Sequence, residues 1–219
     1  MRADRAVLTQ SVARGLTHTL ANVLQVLSFR KSPSVPRSPG DLGLAAARRV
    51  LLGVARPGES IVGPVILGDV LNEVDDWQRC QTGLPPVPVR VTVAPGLPAA
   101  RVCATHLRHA LLDLVTNAKE AVAGRRDAEI RLVASAVAEG LVVTAEDDGP
   151  GIPEGDLERV FEPFYSTKDQ ELHLGVGLTV ARHLLARSGG TVTAETRDGA
   201  RGARFVVRVP LWRETSRGG

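Results

Sequence analysis

The chain has 219 residues, 43% of them hydrophobic but only 3% aromatic, and a formal net charge of +3. That length holds one large domain or two small ones around a core that must be aliphatic. No apolar run approaches the roughly 20 residues of a membrane helix, no signal-peptide pattern opens the chain, and no basic tract interleaved with aromatics favours nucleic acid, so a soluble cytoplasmic protein is expected.

Residues 4–31 contain no proline, and Leu8, Val12, Leu16, Leu20, Val23 and Leu27 recur at three- and four-residue steps, which predicts a long helix with one apolar stripe. The segment 31–40, with Pro33, Pro36 and Pro39, breaks it. Asp41 is placed to cap a second helix that ends at Pro57-Gly58. Two such thin stripes are too little for a stable hairpin, and pairing two hairpins in a four-helix bundle predicts a homodimer.

A linker is expected at 58–64 and a short helix at 67–79. Residues 87–93 alternate as a strand does, and 105–122 is a strong helix. The runs 129–137 and 141–146 predict an antiparallel hairpin turning at Glu139-Gly140. A short helix follows at 154–161, then a helix at 178–188 stopped by Gly189-Gly190. Strands at 191–196 and 203–209 close the domain around Asp198-Gly199, and 213–219 reads as a frayed tail. Without a regular β-α-β alternation, an α+β fold with an antiparallel-leaning, mixed sheet covered by helices on one face fits best.

Four stretches carry chemistry. On helix 105–122, Asp113, Asn117 and Glu120 form a polar stripe beside the apolar face. A solvated face would look alike, but Asn is a poor mid-helix residue, and its amide oxygen suits Mg²⁺. Glu146-Asp147-Asp148-Gly149-Pro150-Gly151-Ile152-Pro153 leaves a β-rich run as a sharp turn. There Asp147 offers a carboxylate to an amino group. Phe161-Glu162-Pro163-Phe164-Tyr165-Ser166-Thr167-Lys168 places two of the chain's four phenylalanines together and ends in one of only three lysines. Leu174-Gly175-Val176-Gly177-Leu178 precedes a helix whose N-terminal N–H groups could meet an anion. Cys80 and Cys103 are read as free thiols.

In this order the stretches resemble the N, G1, F and G2 boxes of the GHKL, or Bergerat-fold, ATPases, and the Phe-Glu-Pro-Phe-Tyr-Ser-Thr-Lys run resembles the catalytic domain of bacterial sensor histidine kinases. The resemblance implies an ATP-binding domain at 65–212. In it Asn117 holds Mg²⁺, and Asp147 accepts from the adenine amino group. Gly149 and Gly151 shape the adenine pocket, while Lys168, Gly175, Gly177 and Leu178 serve the phosphate side. Gly15-Leu16-Thr17-His18-Thr19-Leu20-Ala21-Asn22 then resembles the H-box of a dimerisation and histidine-phosphotransfer hairpin at 1–57. This makes His18 the phosphoacceptor, and Asn22, one turn on, the residue that orients water for dephosphorylating a response-regulator receiver domain.

The chain departs from the pattern at four places. Thr19 replaces the acid that follows the histidine, so autophosphorylation is expected to be slow or to use another base. Asp113 stands where these kinases carry Asn and could serve as base or as a polar contact near Mg²⁺. His173 replaces the first glycine of the G2 box, and Gly202-Ala203 replaces a Gly-Thr pair. The stimulus is expected from a sensory partner protein, a ligand or a further part of the gene. Two rival readings are a degenerate kinase acting as scaffold and an anti-sigma-type serine kinase.

Overall fold

A computed structural model describes residues 61–80, 87–166, 175–197 and 201–213, all within the second of the chain's two units, Gly53–Gly219. The expected hairpin at 1–57 with its dimer contact, His18, Asn22, Lys168 and the residues after 213 lie outside the described residues.

Three helices carry apolar stripes at helical spacing. Helix α1 (Leu67–Arg79) buries Leu67, Val70, Leu71 and Val74. Helix α2 (Ala104–Ala121) buries Leu107, Ala110, Leu111, Leu114, Val115 and Ala118. Helix α3 (Gly177–Ala186) buries Val180, Ala181, Leu184 and Leu185. The Gly-Gly stop after α3 is a Schellman-type end, in which Gly190 N–H donates to the Leu185 carbonyl and Gly189 N–H to that of Ala186, both at 3.0 Å.

The strands are β1 (Gly63–Val65), β2 (Val89–Val93), β3 (Ala100–Val102), β4 (Ile130–Val137), β5 (Gly140–Asp147), β6 (Thr191–Thr196) and β7 (Ala203–Val209). The main sheet has the order β2-β4-β5-β7-β6, and β1 pairs with β3 in a separate two-stranded ribbon. β2 runs parallel to β4 and every other pair in the sheet is antiparallel, so the sheet is mixed. The ribbon was not expected, and its first strand takes up the end of the expected linker. Val137 pairs with Gly140, which moves the hairpin turn one residue back, to Ala138-Glu139. The short helix expected at 154–161 is instead two 3-10 turns, Glu154–Asp156 and Arg159–Phe161. Eight residues containing Gly155 are too few to sustain a cooperative α-helix.

Side chains alternate across the pleat. Ile130, Leu132 and Ala134 of β4, Leu141, Val143 and Ala145 of β5, and Phe205, Val207 and Val209 of β7 share one face and one core with the helices. On the other face Arg131, Glu146, Arg204 and Glu195 stand in register, with ion-pair distances of 3.5, 3.6 and 3.6 Å. The carboxylate of Asp147 has the parity of Ala145. It therefore points to the helix-covered side, at the point where the strand runs out.

His106 of α2 is 2% exposed. Burial first, then the Arg187 charge, holds its pKa below the ordinary value against a hydrogen bond to the Leu184 backbone. A histidine with a depressed folded-state pKa is neutral in the fold when the unfolded chain already binds a proton. Stability is therefore full above about pH 6.5 and falls as the pH drops through the folded value. Half-buried His183 shifts the same way. Urea midpoints should fall between pH 7.5 and 5.5 in the wild type and fall less in His106→Gln; equal slopes in the two proteins would refute this.

Candidate functional site

The site is built at the C-terminal end of β5. Asp147 is 3% exposed, and its Oδ1 accepts from Gly149 N–H at 2.7 Å and from Ala203 N–H at 3.3 Å. Burial raises its pKa above the ordinary carboxylate value, while those two bonds and the charge of Arg197 pull the other way. The turn that follows is packed too closely for side chains. A Cβ on Gly149 would stand 2.6 Å from Asp147 Oδ1 and 3.0 Å from Ala121 Cβ of α2, and one on Gly151 would stand 3.1 Å from the Gly202 carbonyl oxygen.

Helix α2 forms the floor. Its C-terminal residue Ala121 meets Gly149, and two turns earlier the Asp113 side chain lies 3.8 Å from the Cβ position of Gly177, the first residue of α3. Asp113, Asn117 and Glu120, all half-buried, lie along the face between these contacts. At 1.5 Å per residue the floor is roughly 12 Å long. One end holds a carboxylate suited to a nucleobase amino group and the other a helix N-terminus suited to phosphate. Between them the amide of Asn117 and the carboxylate of Asp113 supply the hard oxygens that Mg²⁺ prefers. Among the described residues no group of three His, Cys, Asp or Glu side chains forms a metal site.

The Phe-Glu-Pro-Phe-Tyr segment separates its two phenylalanines. Phe161 is buried edge-on to Phe205 at 6.2 Å, under the guanidinium of Arg182, and its carbonyl accepts from Thr179 Oγ1 of α3 at 2.9 Å. Phe164 is 48% exposed with φ +66°, and its N–H donates to the Gly175 carbonyl at 3.0 Å. Gly175 therefore lies beside the end of this segment, where a Cβ would stand 2.7 Å from the Tyr165 carbonyl oxygen.

Of the residues expected at the site, the structure brings together Asp113, Asn117, Asp147, Gly149, Gly151, Gly175 and Gly177. Leu178, expected on the phosphate side, is partly buried and packs against the apolar core. Sequence reading missed Arg197 and the role of Gly202. Arg197 stands next to Asp198-Gly199 and reads as a turn residue, and only the folded sheet brings it to Asp147. A separate recess of about 550 Å³ opens behind the turn, lined by Val87, Pro88, Arg125, Asp127, Ala128, Glu129 and Asp148. It includes neither Asp147 nor Asn117 and belongs to the outer side of the turn.

Residues 103–213 match the family model described as histidine kinase-, DNA gyrase B-, and HSP90-like ATPase, and the chain belongs to that family. Within it the chain is similar to sensor kinases. The sensor histidine kinase ZraS of Klebsiella oxytoca is 26% identical over 225 residues, covering 96% of this chain and 48% of that protein. The C4-dicarboxylate transport sensor protein DctB of Rhizobium meliloti is 28% identical over 155 residues, covering 71% of this chain and 24% of that protein. Full-length ShkA in complex with AMPPNP superimposes with a TM-score of 0.65 at 26% identity, across 81% of this chain and 37% of that one. The mycobacterial sensor histidine kinase MprB, at 20% identity and a TM-score of 0.58, shares the fold over 69% of this chain and 98% of its own. The chain spans about half the length of the ZraS relative. Among the described residues no helix is long and apolar enough to cross a membrane.

Proposed function

We propose that the chain is the core of an ATP-dependent protein histidine kinase of a two-component system. The observation that carries this reading is the α2 floor, which joins the buried Asp147 turn at one end to the Asp113–Gly177 contact at the other. Asp147 accepts from the adenine amino group, Gly149 and Gly151 let the base approach the main chain, and the N–H groups around Gly175 and Gly177, with Lys168, receive the phosphates. Mg²⁺, held by Asn117 beside Asp113, would offset phosphate charge. A ring nitrogen of His18 attacks the γ-phosphorus, the bond to the ADP oxygen breaks, and the ring proton leaves to a base, for which Asp113 is the candidate in the absence of an acid at 19. The phosphoryl group then passes to an aspartate of a response-regulator receiver domain, and Asn22 orients the water that later removes it. The hairpin at 1–57 forms a homodimer, and a sensory partner or ligand supplies the input. The similarity to ZraS, DctB and ShkA supports this assignment.

A serine kinase of the anti-sigma type is the second reading, favoured by the carboxylate at 113. Incubation with γ-labelled ATP and Mg²⁺ separates the two. Acid-labile label is expected on the wild type, and none on His18→Gln or Asn117→Ala. Label that persists in His18→Gln removes the phosphoacceptor assignment, and acid-stable label on a partner protein selects the serine-kinase reading.

A further inference from the structure

The side chain of Arg197 follows β6 and is 15% exposed. Its Nη1 lies 2.8 Å from the Asp147 carbonyl oxygen, 3.1 Å from Asp148 Oδ1 and 2.7 Å from the Arg201 carbonyl oxygen. Its Nη2 lies 3.9 Å from Glu146 Oε2. One guanidinium thus joins the end of β5, the turn after it and the approach to β7. Arginine suits this place because its planar fork is rigid and stays charged.

We infer that Arg197 is a specificity-determining positioning residue of the nucleobase pocket, which holds the Asp147–Asp148 main chain from behind so that the Asp147 carboxylate faces a 6-amino purine as an acceptor. The inference rests on the ATP-binding reading above. Asp147 Oδ1 is committed to the N–H groups of Gly149 and Ala203, so its direction depends on where the Asp147 backbone sits. The same backbone pairs with Ile130 of β4. Past that pair Arg125 donates to the neighbouring Asp148 carbonyl, while the Asp148 carboxylate takes Glu129 N–H at 3.1 Å and faces Arg131. Arg197 also places a cation beside a buried carboxylate. Around Asp147 the charged groups are Glu146 and Asp148 of its own segment, Arg131 of β4, Arg125 after α2, and Arg197. Removing Arg197 loosens the turn and favours a protonated Asp147, which donates instead of accepting. Adenine, with an amino group at C6, loses by that change, and hypoxanthine, with a carbonyl there, gains.

The test is calorimetric titration of the full chain with ATP and with ITP in Mg²⁺, for wild type, Arg197→Met and Arg197→Lys. Wild type is expected to prefer ATP by about 100-fold. The Met variant should narrow that ratio by about tenfold or more, and the Lys variant, which keeps the charge without the fork, should fall between. A merely structural role weakens both nucleotides equally, so an unchanged ratio in the Met variant overturns the inference. If circular dichroism shows the Met variant unfolded, the Lys variant decides, an unchanged ratio again being the overturning result. Failure of the wild type to bind either nucleotide removes the nucleotide reading itself, which the ratio among binding-competent variants does not touch.

Discussion

Replacing Asp147 by Asn is expected to weaken ATP binding by on the order of 100-fold while leaving the domain folded. The amide oxygen of Asn can still accept from Gly149 and Ala203, so the turn keeps its closure. The other carboxylate oxygen becomes an NH₂ group, which sets a donor against the adenine amino donor in a buried site. A bond to a charged acceptor contributes about 1.5–3 kcal/mol, and a donor left facing a donor adds its own desolvation penalty. The pH dependence has a definite sign. Burial raises the folded-state pKa of Asp147, so ATP affinity in the wild type should fall as the pH drops through that raised value. The Asn variant should lack this phase. Between the unfolded and folded pKa values the native state binds more protons than the unfolded chain, so ionised Asp147 is a destabilising group at neutral pH. The Asn variant should therefore be at least as stable as the wild type. Titration calorimetry and urea unfolding read the two effects separately, and an ATP affinity within threefold of wild type would remove Asp147 from the adenine subsite.

The second large effect is on stability. Gly202 is buried, has φ +105°, and lies against the end of β5, where a Cβ would overlap the Asp147 carbonyl oxygen far inside van der Waals contact and stand 2.7 Å from its carbon. Neither atom can move without tearing the Arg197 contacts from the same carbonyl. Gly202→Ala should therefore destabilise by about 3–5 kcal/mol through steric conflict combined with a left-handed backbone. For a domain of this size that lowers the melting temperature by roughly 10 °C. Gly155→Ala is the matched control, since a Cβ there meets nothing within 4 Å, and its melting temperature should stay within about 2 °C of wild type. Equal melting temperatures for the two variants would mean that the β7 approach yields where this packing says it cannot.

The parts of the fold that could be read from the chain are those fixed by local chemistry. The strong helix pattern of α2, the Gly-Gly end of α3 and the alternation in β2 each act within a few residues. The parallel pairing of β2 with β4 could not be read, because a ribbon strand and the whole of α2 intervene and nothing local distinguishes a parallel partner. The β1–β3 ribbon is three residues on each side, too short for period-two alternation to stand out. At the site, Asn117, Asp147 and the glycines were legible as motif residues. Arg197 was not, because its role depends on β6, β7 and β5 lying side by side, fifty residues apart along the chain.

Helix α2 meets the turn at Ala121 and the start of α3 at Asp113. Both ends of the cleft are thus mounted on a single rigid rod of hydrogen-bonded turns, with its apolar side anchored in the core. Such a cleft cannot widen along its length as a hinged jaw does. It acts as a fixed gauge for the distance between a ring and an anionic tail. A shorter or longer molecule cannot be met by a change in that length.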